Sequence, residues 1–174
     1  MIRTVAVLAA TFATTFAVAF APAPIAQQPS SAAMRAFDGS WSATGQRQTL
    51  STEGDRVAAV VQLSGAVVLS RDTGLGSGFT GEAIGFDDGR STVAGRAVWT
   101  NARGDRIFSV VNGEPIGTGR RIAGTFTGGT GRYAGITGEY TLTWQYVVSA
   151  DEHVVQGRTV DLRGRFRLAG ARQR

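Results

Sequence analysis

The chain is 174 residues long, with 18 basic and 13 acidic residues, one His, 24 Gly and no Cys, for a net charge of +5. Without Cys it has no disulfides, thiol chemistry or Cys-ligated metal, and one His excludes a His-cluster zinc site. The basic residues are all Arg and are scattered along the chain, which argues against a nucleic-acid footprint.

Met1-Ile2-Arg3 is a short positive start, followed by an apolar run from Val5 to Ala21 and then Pro22, Pro24 and Pro29. As a helix this run spans about 25 Å, short of the roughly 30 Å hydrocarbon core of a membrane. It reads as a secretory signal peptide over residues 1–26, with cleavage after Ala21, after Ala26 or near Ala32. Export to the periplasm or the medium follows, with no membrane span left after cleavage. Residues 27–37 read as a disordered lead-in, and 38–170 as one folded domain.

After the signal no segment keeps a 3.6-residue apolar period. Eight stretches alternate or are apolar at strand length: Ser40–Leu50, Arg56–Ser70, Phe79–Phe86, Thr92–Asn101, Arg106–Asn112, Arg121–Thr127, Ala134–Ser149 and Glu152–Leu168. Short turns join them, among them Asp87-Asp88-Gly89-Arg90 and Arg103-Gly104-Asp105. The expectation is an all-β domain, an eight-stranded antiparallel up-and-down barrel that leaves no open edge, with a two-sheet sandwich as its competitor.

The most distinctive stretch is GTFTGGTGRYAGITGEY, Gly124 to Tyr140. A Walker loop is excluded because the chain has no Lys. A dinucleotide loop is disfavoured because the residues that follow alternate with period two rather than opening a helix. The glycines therefore read as a hairpin turn, with Gly135 and Gly138 letting the next strand coil. The same residues resemble the glycine-rich hairpin of the allene oxide cyclase and dirigent-like β-barrels. That resemblance implies a calycin-like eight-stranded barrel with an apolar interior and assembly into homo-oligomers through the barrel exterior. It implies no cofactor, and it transfers no catalytic residue to this chain.

Candidate site residues come from strand faces. Tyr140, Trp144 and Tyr146 share one face of the seventh strand, and Trp99 lies on the fourth; aromatics with polar tips suit either a lipophilic pocket or a filled core. Arg158 shares a face by alternation with Val154, Val160, Leu162 and Phe166, an odd charge in an apolar row that suits a pocket counter-ion or the rim. Glu82 and Arg96 would face each other if a bulge shifted their hairpin by one residue, giving either an acid/base pair inside the barrel or an exterior ion pair. Arg163, Arg165 and Arg167 line one strand face, either solvated or touching a polyanion. No metal or cofactor is expected. The leading expectation is a protein that holds a small apolar or aromatic molecule. The alternatives are a cofactor-free cyclase or isomerase using Glu82 and Arg96, and an envelope module with a filled core.

Overall fold

Alternation is the rule from which this fold is built. In the computed structural model, which describes residues 33–70, 74–117, 119–150 and 153–169, the expected strands form in order. They are β1 (Arg35–Thr52), β2 (Arg56–Leu69), β3 (Gly78–Asp87), β4 (Val93–Thr100), β5 (Arg106–Ile116), β6 (Gly119–Gly129), β7 (Thr137–Ala150) and β8 (Val154–Arg167). Each pairs antiparallel with the next, and β8 closes on β1, making an up-and-down barrel with no free edge. The signal peptide expected over residues 1–26 lies outside the described residues. The strand begins earlier than the sequence reading placed it: Arg35, Ala36 and Phe37 belong to β1 rather than to the lead-in, because buried Phe37 completes the core.

Four register shifts, one of them in β7–β8 between Tyr146 and Val148, help curve the sheet into a closed ring. Between Gly39 and Ser42 the β1–β8 register shifts, and the Trp41 amide, displaced from the ladder, donates to the Thr159 hydroxyl at 2.7 Å. Between β5 and β6 the register shifts at Phe108 and Ser109. In β8, Asp161 takes a left-handed φ of 58° where the β7–β8 register shifts between Thr141 and Thr143. Asp tolerates that conformation better than most side chains. The result is that Val155, Gly157 and Thr159 point inward before the bulge, and Leu162 and Phe166 after it.

The core is aromatic and sits toward one end. Phe37 meets Trp99 edge-on at 6.0 Å and Phe126 in a stack at 6.2 Å, and Trp99 contacts Phe79 and Tyr140 at 5.8 and 5.1 Å. Such large rings fit because small residues lie beneath them. Gly124 faces the Tyr140 ring and Gly157 the Trp144 ring so closely that a Cβ at either would run into the aromatic atoms.

The glycine hairpin finishes this end. After β6 the chain makes a single 3-10 turn, Gly131–Tyr133, that folds Tyr133 into the barrel opening, where it is fully buried. Its hydroxyl donates to the Leu75 carbonyl at 2.6 Å and accepts from Asn101 Nδ2 at 3.4 Å, and its ring packs on Phe79. Arg132 donates to the Gly74 carbonyl at 2.6 Å, tying the hairpin to the β2–β3 connection. Leu75, Tyr133, Ile136 and Phe166 thus form a floor, each no more than 1% exposed.

Candidate functional site

The opposite end is built from smaller side chains. The inward residues of β3 above Phe79 are Gly81, Ala83, Gly85 and Asp87, and those of β4 above Trp99 are Val93, Gly95 and Ala97. Against this thin wall stand Trp41 from β1 and Leu142, Trp144 and Tyr146 from β7. Between them lies a cavity of about 100 Å³ whose lining is almost wholly apolar. An apolar cavity of roughly 150 Å³ is known to stay dry and take up benzene, so this space suits a molecule of about one ring, or a larger one that protrudes from the mouth.

Of the four aromatics and Arg158 chosen from the sequence as pocket residues, the four aromatics line this cavity: Trp99, Tyr140, Trp144 and Tyr146. Trp99, Tyr140 and Trp144 are buried, and Tyr146 is half-buried nearer the mouth, edge-on to Trp144 at 6.2 Å. Arg158 is a correction. The bulge at Asp161 reverses the alternation of β8, so Arg158 shares the outer face with Val154 and is exposed, while Leu162 and Phe166 point inward.

Glu82 and Arg96 are a second correction. No bulge separates β3 from β4: Glu82 stands opposite Val98 and Arg96 opposite Ile84. Both side chains are exposed on the outer face, with Ile84 and Phe86 beside Glu82 at 53% and 51% exposure. Glu82 therefore contributes main chain, not a carboxylate, to the cavity wall. Arg163, Arg165 and Arg167 also project outward, and Arg165 is paired with Glu139 at 2.6 Å.

Charge does reach the cavity, through two residues not singled out from the sequence. Asp87 at the end of β3 and Arg120 at the start of β6 meet across the mouth: Arg120 Nε and Nη2 donate to Asp87 Oδ2 at 3.1 and 2.6 Å. Their side chains are 15% and 24% exposed, so water screens this pair less than it does the surface pairs Arg121–Glu114 and Arg165–Glu139. Both ends are held: Asp87 Oδ1 accepts from the Gly89 amide at 2.9 Å, and Arg120 Nη1 donates to the Gly119 carbonyl at 3.0 Å. Since β4 and β5 separate β3 from β6, the pair is a strut bridging two strands that do not touch.

The remaining polar groups lie on the cavity wall. The Tyr140 hydroxyl is 2.9 Å from Ser109 Oγ, which itself donates to the Ala97 carbonyl at 3.4 Å; Ser109 has one proton, so Tyr140 donates to Ser109. Burial pushes the Tyr140 phenol up to about 12, while the Ser109 hydroxyl, which can turn to donate to the phenolate oxygen, pulls the other way. At neutral pH it is a fixed, uncharged phenol and not a base. The indole Nε1 atoms of Trp41 and Trp144 are buried with no hydrogen-bond partner in the protein. Their rings are 5.2 Å apart, inclined at 48°.

The cavity thus has the chemistry of a receptacle: apolar walls, a neutral phenol and a self-neutralised ion pair at its lip. Among the described residues no three His, Asp or Glu side chains gather as a metal site would require. Compared with known proteins, the chain matches no protein-family model and no curated protein sequence.

Proposed function

We propose that this barrel is an exported carrier or receptor for a small, mostly apolar molecule held in the half of its interior opposite the Tyr133 floor. The observation that carries this reading is the unequal filling of one barrel: a close-packed floor and, above it, an apolar cavity of about 100 Å³ walled by Trp41, Trp99, Tyr140 and Trp144. A filled-core module would need side chains throughout, and Ala83, Gly85 and Gly95 do not supply them. The cyclase or isomerase alternative loses its proposed acid/base pair, since Glu82 and Arg96 lie on the exterior. The neutral Tyr140 phenol, hydrogen-bonded to Ser109, remains as a polar group on the lining rather than as a proton acceptor.

The resemblance to the allene oxide cyclase and dirigent-like barrels belongs to the same proposal. The eight-stranded closed barrel and the Gly-rich hairpin between β6 and β7 support it. Export rests on the apolar segment at the start of the sequence, and the intact mass of the secreted protein checks it.

Native mass spectrometry of the protein purified from its own host tests the carrier reading, with Ala83→Phe as its partner. A bound small molecule, released on denaturation, is the expected result. Ala83→Phe puts a ring into the cavity from the thin β3 wall; it is expected to leave Tm within a few degrees while abolishing the ligand peak. A ligand peak that survives Ala83→Phe would place binding elsewhere and sink the reading.

A further inference from the structure

The Asp87–Arg120 pair differs from the other ion pairs described above. Arg121–Glu114 and Arg165–Glu139 lie on the outer face with side chains at least 58% exposed, whereas Asp87 and Arg120 are 15% and 24% exposed and both line the cavity. The strand register shows how far the pair reaches. Asp87 stands opposite Val93, Val93 opposite Gly113 and Gly113 opposite Ile122, and Arg120 lies two residues along β6 from Ile122. An inward pair gives up hydration for its contact, and such pairs contribute little net stability. Its place at the lip of an apolar space therefore calls for a reason other than stability.

Arg120 is the one cation on the lining. Asp87 Oδ2 sits against its Nε and Nη2 atoms, the edge on which a guanidinium takes carboxylates. An anionic ligand at the mouth would need that edge, and the protein's own carboxylate already fills it. Asp87 is tethered there, with Oδ1 held by the Gly89 amide. A dissolved carboxylate thus competes against an effective concentration of roughly millimolar or more, and meets the negative charge of Asp87 besides. With the pair intact the lip carries no net charge, so an ion of either sign loses hydration on entry without gaining a counter-ion. Arg47, set opposite Val61 by the β1–β2 register, is not part of the lining.

Resting on the carrier reading above, we propose that Asp87 is a specificity-determining residue: it occupies the anion-binding edge of Arg120, so that the cavity admits uncharged ligands and turns carboxylates away. Arg120 is a carboxylate site filled from within. Removing Asp87 opens that site beside a space that takes one ring.

Benzoate and its uncharged isostere nitrobenzene, each titrated against the whole mature protein at neutral pH, separate the outcomes. Any apolar cavity prefers nitrobenzene, so the decisive quantity is how Asp87→Ala changes that preference. The variant is expected to bind benzoate at least about tenfold more tightly than the parent, with nitrobenzene within about threefold of it. The gain should vanish in Asp87→Ala combined with Arg120→Ala, which keeps the opening and removes the cation. Where Asp87→Ala fails to fold, Asp87→Asn keeps the shape without the charge, and the preference should still shift toward benzoate by about threefold or more. A parent that binds benzoate as tightly as nitrobenzene overturns the proposal. So does an unchanged benzoate affinity in a variant that still binds nitrobenzene, and either result leaves the carrier reading standing. A gain that persists without Arg120 also overturns it and assigns the anion to another cation such as Arg47. If neither probe binds any of these proteins at millimolar concentration, the proposal and the carrier reading fall together.

Discussion

The two ends of the barrel follow one alternating code and come out opposite. At the floor, inward positions carry Phe37, Phe79, Phe126 and Phe166, and Tyr133 folds in from the hairpin with its hydroxyl hydrogen-bonded. At the mouth, β3 and β4 offer Gly85, Val93 and Gly95, and polar groups appear as a strut. Strand alternation decides which side chains face inward; their volumes decide whether that interior is a core or a receptacle.

The contrast breaks most sharply at the floor. Phe166→Ala should cost about 3–5 kcal/mol, the range for a fully buried aromatic, whereas Tyr146→Ala at the half-buried mouth should cost less than about 1.5 kcal/mol. Chemical denaturation of the two variants measures the difference, and equal losses would refute the division into floor and mouth.

The next effect is on pH dependence. Tyr140 titrates near 10 unfolded and at about 12 folded. Its protonated form is therefore favoured by folding, and this stability is complete below about pH 10 and lost as pH rises toward 12. Two units correspond to about 2–3 kcal/mol. Tyr140→Phe should be less stable at pH 7 by about 1 kcal/mol, for the lost Ser109 contact, yet decline less than the parent between pH 10 and 12. Parallel decline in the two proteins would show that Tyr140 ionises as an exposed phenol does.

A smaller effect is expected where a glycine lies against a ring. Gly124→Ala should cost about 1–3 kcal/mol because its methyl must displace the buried Tyr140 ring, while Gly104→Ala, in an open turn with nothing near it but with φ of 83°, should cost about 1 kcal/mol from backbone strain alone. Thermal melts of the pair compare crowding with strain.

Much of this architecture was legible in the residues themselves. The alternation of Tyr140, Trp144 and Tyr146 placed them on one face, and that face is the inward one. Alternation failed where a single residue interrupts it: Asp161 in a left-handed conformation moves Arg158 to the outside, and only an Asp inside an apolar strand hinted at it. In β3 the bulkier row, Ile84 and Phe86, is the outer one, so an apolar neighbourhood was no guide to where Glu82 points. Asp87 was hidden in a run that makes a real turn, with Asp88 Oδ1 accepting amides from Arg90, Ser91 and Thr92. Its partner Arg120 is 33 residues away, and their meeting depends on how the ring closes, which no local pattern encodes. Nothing in the stretch Ser40–Leu50 marked the Trp41 nitrogen as unpaired.

The pairing of Arg35 with Phe166 has a consequence of its own. It brings the beginning of β1 and the end of β8 side by side at the floor, on the side away from the Asp87–Arg120 strut. A tag, reporter or surface linker joined at either of these strand ends therefore attaches behind the cup and leaves its opening facing outward. The protein can be immobilised by its base, with its mouth presented to the solution being sampled.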